Sequence, residues 1–340
     1  MRTLEQPVVG AADQVVRCAP RASMQKAMPF PVAAQLLDQP VKALRALRSV
    51  YSRLKHPGKR LLVPVFSALA CRQCSRYPIW LKDFTHIMLV DQLTLYRQRD
   101  LSADGLPCLF DPQESLLPGA PYWESMEKKA GQLAVQEPLF LALISWANES
   151  LLYLAQCTGL QGHELLEWQE LTTHSMNEQL WDTEYGIYLP ADLTTGDTVL
   201  SSSLAGVVPL VAAVADQDQA EAMRGILQAN FLEDTHYFFP TSSVFNQSMA
   251  PNLIDAGALD PFLNWLLFFG FLRYDFDDLA IHLRNNMLEL LGEYGFYRYY
   301  ESERNALGNR GIGEGNCSTT AALFAHLAQV PLQHPFYHTG

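Results

Sequence analysis

The sequence predicts an all-α protein built from antiparallel helical hairpins. Three observations predict it. Apolar residues recur at three-four spacing through most of the chain, no period-two alternation survives beyond a few residues, and short connections alternate with long ones. Helices joined by short turns are antiparallel neighbours. If such pairs close into a ring, the long connections gather at one end, where a site would lie. No strict repeat is present, so an open solenoid is the weaker arrangement.

Residues 1–28 carry no period and read as an irregular arm; 29–340 read as a single helical domain. Val32 to Leu54 has apolar residues at Leu36, Leu37, Val41, Leu44, Leu47, Val50, Tyr51 and Leu54, and His56-Pro57-Gly58 ends it. Leu61–Arg76 follows, with Pro64 in its first turn, where proline is tolerated. Pro78 opens the next helix, to Arg99. Residues 100–131 are irregular, and an unstructured stretch of that length inside a compact domain is usually functional or disordered; Tyr122 and Trp123 argue against disorder. Helices resume at Val135–Cys157 and Gly162–Leu180, parted by Thr158-Gly159. A turn-rich stretch, 181–198, precedes helices Leu204–Ala215 and Gln217–Phe231, joined at Asp216. After irregular 232–256 come Pro261–Tyr274 and Asp277–Gly292. The irregular stretch 295–315 leads to a last helix, Ser318–Val330.

A net charge of −12 argues against a nucleic-acid partner, and the basic cluster Lys55–Arg60 is short and interrupted by proline. The longest apolar run, Pro261–Leu272, is interrupted by Asn264 and falls short of the ~20 residues a bilayer requires, so no membrane partner is expected. Met1–Met28 shows no apolar leader core, and the expected location is cytoplasmic. Cys71-Arg-Gln-Cys74 is a lone CxxC without the two further ligands a metal site needs, so no metal and no cofactor are expected.

The motifs, in their order, resemble those of glycoside hydrolase family 63 and the mannosylglycerate-hydrolase-like proteins, from about Leu61 to Ala328. Arg99-Asp100…Asp104-Gly105-Leu106 resembles the family's Arg-Asp…Asp-Gly-Leu turn. Asp111-Pro-Gln-Glu114-Ser115-Leu-Leu-Pro118-Gly-Ala-Pro121-Tyr-Trp123 resembles, without a gap, His-Pro-Trp-Glu-Ser-Gly-x-Asp-Asn-Ser-Pro-x-Trp. Trp181-Asp182…Gly186-Ile-Tyr188…Asp192, Gly206…Pro209-Leu210, Pro261-Phe262…Asn264, Gly295-Phe296-Tyr297 and Asn316-Cys-Ser318…Ala321-Ala322 follow in family order. The resemblance implies an (α/α)6 toroid, incomplete at the N-terminus, and an inverting α-glycosidase site between loops 100–131, 232–256 and 295–315.

The departures fall on the chemistry. The family's general acid is an Asp where this chain has Pro118, and its general base is a Glu where this chain has Arg298. Proline has no proton to give, and an arginine is always charged. An inverting glycosidase needs two carboxyls roughly 6.5–9.5 Å apart. The sugar platform reads Asp255-Ala256-Gly257, and the tryptophan after it is Asp260. Glu114 is the inherited candidate for acid or sugar contact, against a solvated loop carboxylate. Glu301, three residues past the lost base, and Asp255 are candidate partners, though for Glu301 a surface charge beside Arg304 and Arg310 is the better reading. Trp181, Tyr297, Tyr122 and Trp123 are candidate sugar contacts, the last two alternatively pinning their loop to the core. Asp260 is a candidate pocket carboxylate, though a cap on the helix starting at Pro261 is the better reading. Arg298 suits an anion, either a substrate's or an internal carboxylate such as Glu301, Glu303 or Glu114.

Three functions remain open on these residues. One is a carbohydrate-active enzyme with a rebuilt acid/base pair, another a sugar-binding pseudoenzyme, and the third a non-hydrolytic enzyme on an anionic or polyol molecule. Each takes a small sugar or sugar acid as ligand.

Overall fold

The computed structural model describes residues 39–54, 57–126, 133–231, 238–242, 257–301, 311–313 and 315–330. Helix α1 (Pro40–Tyr51) turns Ala43, Leu44, Leu47 and Tyr51 onto α2 (Pro57–Arg72). Proline at the first position starts α2 rather than ending its predecessor, so Pro64 lies within the helix and not in its first turn. Then follow α3 (Leu81–Arg99), α4 (Pro138–Thr158), α5 (His163–Ser175, closed by a π turn, Met176–Leu180), α6 (Gln217–Asn230), α7 (Pro261–Arg273), α8 (Asp277–Tyr294) and α9 (Ser318–Gln329). The stretch expected as a helix over 204–215 is instead two 3-10 turns, Leu204–Gly206 and Val208–Ala212. Gly270 of α7 explains the tight fit there: a Cβ on it would lie 2.9 Å from that of Leu210.

Burial sorts the helices into two rings. The inner ones, α2, α4, the 208–212 turn, α7 and α9, are buried nearly all round and touch in that order. The outer ones, α3, α5, α6 and α8, bury one face and present the other to solvent. Each inner element before α9 runs into an outer one through a short turn. Gly159, left-handed at φ 67°, ends α4, and an Asp216 capping box starts α6. Each outer helix returns to the next inner one through a long connection: 100–137, 181–207, 231–260 or 295–317. This is the helical toroid the sequence predicts. Helix α4 is long and apolar enough to cross a membrane, but 83% of that window is buried in the ring.

Strands are confined to the long connections and are two residues each: β1 (Val135–Gln136), β2 (Trp181–Asp182), β3 (Ile187–Tyr188), β4 (Ala191–Asp192), β5 (Asp197–Thr198), β6 (Tyr299–Tyr300) and β7 (Gly311–Ile312). Three pairings stitch neighbouring connections together, β1 to β4, Ser203 to Ser242 and Leu259 to Tyr300, while β6–β7, Leu109–Val135 and Pro240–Leu259 each close a turn within one connection. The long connections therefore gather at one end of the ring. Most of 232–256 lies outside the described residues.

At the ring's centre four inner helices meet on Trp265 of α7. Its ring lies 5.7 Å from Phe66 of α2, 6.1 Å from Trp146 of α4, 4.9 Å from Phe269 and 5.8 Å from His326 of α9. Trp265 Nε1 donates to His326 Nδ1 at 3.1 Å, which satisfies both polar atoms inside the core. Trp265→Ala should lower the unfolding free energy by about 3–5 kcal/mol in urea melts. Ile79→Ala, at a side chain 98% exposed, should change it by under about 0.5 kcal/mol.

Candidate functional site

The loop after α3 is built on charge. Asp100 accepts the backbone N–H of Asp104 and Gly105, and Asp104 accepts that of Leu106. Arg99 grips Glu114 with two bonds of 2.7 Å each and the Cys108 carbonyl at 3.1 Å. Phe110 N–H donates to the same carboxylate at 2.9 Å. Burial raises the Glu114 carboxyl, but Arg99 and Phe110 outweigh it and hold it below its ordinary range. Glu114 is thus an ionised brace of its loop, committed to Arg99.

Farther along the same loop, Ser115 Oγ and Tyr122 OH both donate to Oε1 of Glu137, and Trp123 Nε1 donates to the Leu117 carbonyl at 2.8 Å. Tyr122 and Trp123 are 3% and 8% exposed, so they pin the loop and offer no face to a sugar. Glu137, at the N-cap position of α4, is fully buried, and its Oε2 has no partner. Sequence reasoning missed it; a Glu between the apolar Val135 and the Pro138 helix start was the available signal. Trp181 and Tyr188 face each other across the β2–β3 hairpin with rings 5.1 Å apart, so the Trp181 indole packs within its own loop.

Across the mouth, Asp260 caps α7: Oδ1 accepts Phe262 N–H at 2.7 Å. Its Oδ2 lies 3.3 Å from Arg298 Nη2, and the carboxylate is 1% exposed against 41% for the arginine. The ion pair of Arg298 is therefore with Asp260, and not with Glu301 or Glu114. Asp260 raises the Arg298 guanidinium above its ordinary value, against burial. Lys59, in the first turn of α2, is close enough that burial and the Arg298 charge lower its pKa. Lys59 was visible in sequence only as part of a short basic cluster.

Tyr297 packs its ring against Gly311 and Gly315, where a Cβ would come within 2.3 and 3.1 Å, and its carbonyl accepts Thr320 Oγ1 at 2.6 Å. Glu301 follows β6, is partly buried and makes interactions of its own. Asp255 and Glu303 lie outside the described residues. Among the described residues no three His, Cys, Asp or Glu side chains are grouped to hold a metal.

An inner ring of helices with its loops stitched over one end is the architecture of the six-hairpin glycosidases. The GH63 mannosylglycerate hydrolase of Thermus thermophilus, solved with glucose, superposes with a TM-score of 0.66 at 23% identity, over 84% of this chain and 74% of that one. A GH78 rhamnosidase of Bacillus sp. GL1 superposes at 0.57 and 14% identity, over 89% and 31%. Mannosylglycerate hydrolase MGH1 of Selaginella moellendorffii is 30% identical over 179 residues, 52% of this chain and 36% of that protein. A mannosylglycerate hydrolase of Rubrobacter radiotolerans is 28% identical over 207 residues, 59% and 46%. The chain thus matches less than half the length of these curated relatives. Residues 79–326 match the mannosylglycerate hydrolase MGH1-like glycoside hydrolase domain, and the chain belongs to that family.

Two buried groups set a pH dependence of stability. Burial raises Glu137 to about 7 against the Ser115 and Tyr122 bonds, and lowers His326 to about 4. Between pH 4.5 and 7 the folded chain keeps a Glu137 proton that the unfolded chain has lost, so this group costs stability increasingly as pH rises. Between pH 4 and 6.5 the unfolded chain keeps a His326 proton that the folded chain has lost, so stability falls as pH drops through that window. Melts of Glu137→Gln and wild type should therefore diverge in favour of the variant from pH 5 to 8, by on the order of 2–4 kcal/mol. A difference that stays constant over that range would contradict the assignment.

Proposed function

We propose that the chain is a carbohydrate-binding member of its family that does not hydrolyse glycosides. One observation carries this reading: the residue at the family's base position is Arg298, ion-paired with the buried Asp260. A guanidinium cannot accept a proton from water at working pH, and Asp260 spends its two oxygens on a helix cap and on that arginine. The acid position holds Pro118, and Glu114, the carboxylate that follows the family motif nearby, is kept ionised by Arg99. An acid/base pair needs one protonated and one ionised carboxyl facing each other across the ligand. Neither Glu114 nor Asp260 is free for either role.

The ligand class follows from the relatives. They are named for mannosylglycerate hydrolysis, and the Thermus thermophilus enzyme was solved with glucose and with Tris and D-glycerate. A sugar or sugar acid at the loop end of the ring is the reading for this chain. Calorimetric titration with mannosylglycerate and with glucose, alongside an assay for released mannose, tests it. Binding without release above the buffer rate is the expected outcome. Mannose release that is lost in Glu114→Gln would instead support a rebuilt acid/base pair.

A further inference from the structure

We infer that the wall of the ring holds a binding site of its own: a cavity between α1, α2 and α3 that takes a small, neutral, polyhydroxylated molecule. Among the described residues that line it, none is a candidate of the loop-end site.

The cavity has a volume of about 230 Å³. One water needs only ~10–15 Å³ and a drug-sized ligand ~300–1,000 Å³, so the space suits a molecule about the size of one sugar ring. Leu61 of α2 and Leu95 of α3 give it an apolar side, against which the C–H face of such a molecule packs. Arg60, Gln92 and Gln98 make its polar side, and each keeps hydrogen-bonding capacity. Arg60 meets Asp91 through Nη2 alone, at 2.6 Å, with its guanidinium laid on the Tyr51 ring at 4.7 Å. Gln92 gives its amide N–H to Asn148 at 2.7 Å and keeps its carbonyl. Gln98, in the last turn of α3, spends neither end of its amide on another described residue. Donors and acceptors therefore stand side by side, a pattern that hydroxyl groups satisfy because each both donates and accepts.

Charge decides between a neutral and an ionic ligand. Both arginines of the wall are already matched, Arg60 by Asp91 and Arg99 by Glu114 through two bonds of 2.7 Å. Asp91 is the one carboxylate among the described lining residues, and Arg60 holds it. The first turn of α2 and the last turn of α3 border the cavity together, so the positive end of one helix dipole offsets the negative end of the other. A carboxylate, phosphate or ammonium would enter without a counter-charge and give up its hydration. A hydroxyl gives up less and finds partners.

Calorimetry on the full chain tests this, with myo-inositol as the neutral probe, gluconate as the acidic one and glucosamine as the basic one. Wild type should bind myo-inositol at least about tenfold more tightly than either charged probe. Gln98→Trp puts an indole into the cavity from an exposed helix position and should weaken myo-inositol about tenfold or more. Arg60→Lys keeps a counter-charge for Asp91 but loses the planar fork, and should weaken it about three- to tenfold. Unchanged myo-inositol affinity in either variant would overturn the site. Gluconate or glucosamine bound as tightly as myo-inositol would overturn the neutral ligand class, and no binding of myo-inositol would overturn the inference outright. The mannosylglycerate titration reports on the loop end of the ring and is decided separately.

Discussion

The packing of four helices on Trp265 is the constraint on which the rest of the structure depends. Its ring is shared by α2, α4, α7 and α9, and its N–H is taken by His326. A helical ring has no sheet to hold its circumference, so side chains at the centre must fix the spacing of the inner helices. Once those axes are set, the long connections that lead into the inner helices lie beside one another. The loops entering them are then forced into contact, and the two-residue strands and single bridges record that contact.

On that frame the family motifs separate into two kinds of residue. Those kept here are braces. Arg99 and Glu114 fold the loop after α3, Ser115 holds Glu137 and the Leu117 N–H, and Trp123 ties the loop to the Leu117 carbonyl. Gly206 lets the 204–206 turn approach Tyr188, where a Cβ would sit 2.3 Å from a carbonyl oxygen. Those changed here, Pro118, Asp260 and Arg298, stand where the sequence resemblance implies the family's acid, a tryptophan and its base. A chain under selection for its shape alone at this end would retain the first kind and be released on the second. Arg298 is more than a release, since it pairs with Asp260, the residue that caps α7.

Much of the fold was legible in sequence because helical period, proline starts and glycine stops are local signals. Asp260 before Pro261, Asp216 before Gln217 and Gly159 after Thr158 each mark a boundary the structure keeps. The 204–215 stretch misled, because an apolar run with Pro209 and a close approach to α7 satisfies a 3-10 turn as well as a helix. Site residues were less legible for a physical reason. Glu114, Tyr122 and Trp123 have the chemistry of sugar contacts, and only their partners reveal them as braces. Arg298's partner, Asp260, lies 38 positions earlier, and Lys59 comes from the other end of the chain. Glu137 announces nothing in sequence until Ser115 and Tyr122 close over it.

The central claim is that this end of the ring holds a sugar or sugar-acid ligand and leaves its glycosidic bond intact. A crystal structure of the chain soaked with mannosylglycerate tests that most directly. The account predicts an unbroken ligand at the loop end of the ring. A cleaved sugar would contradict it.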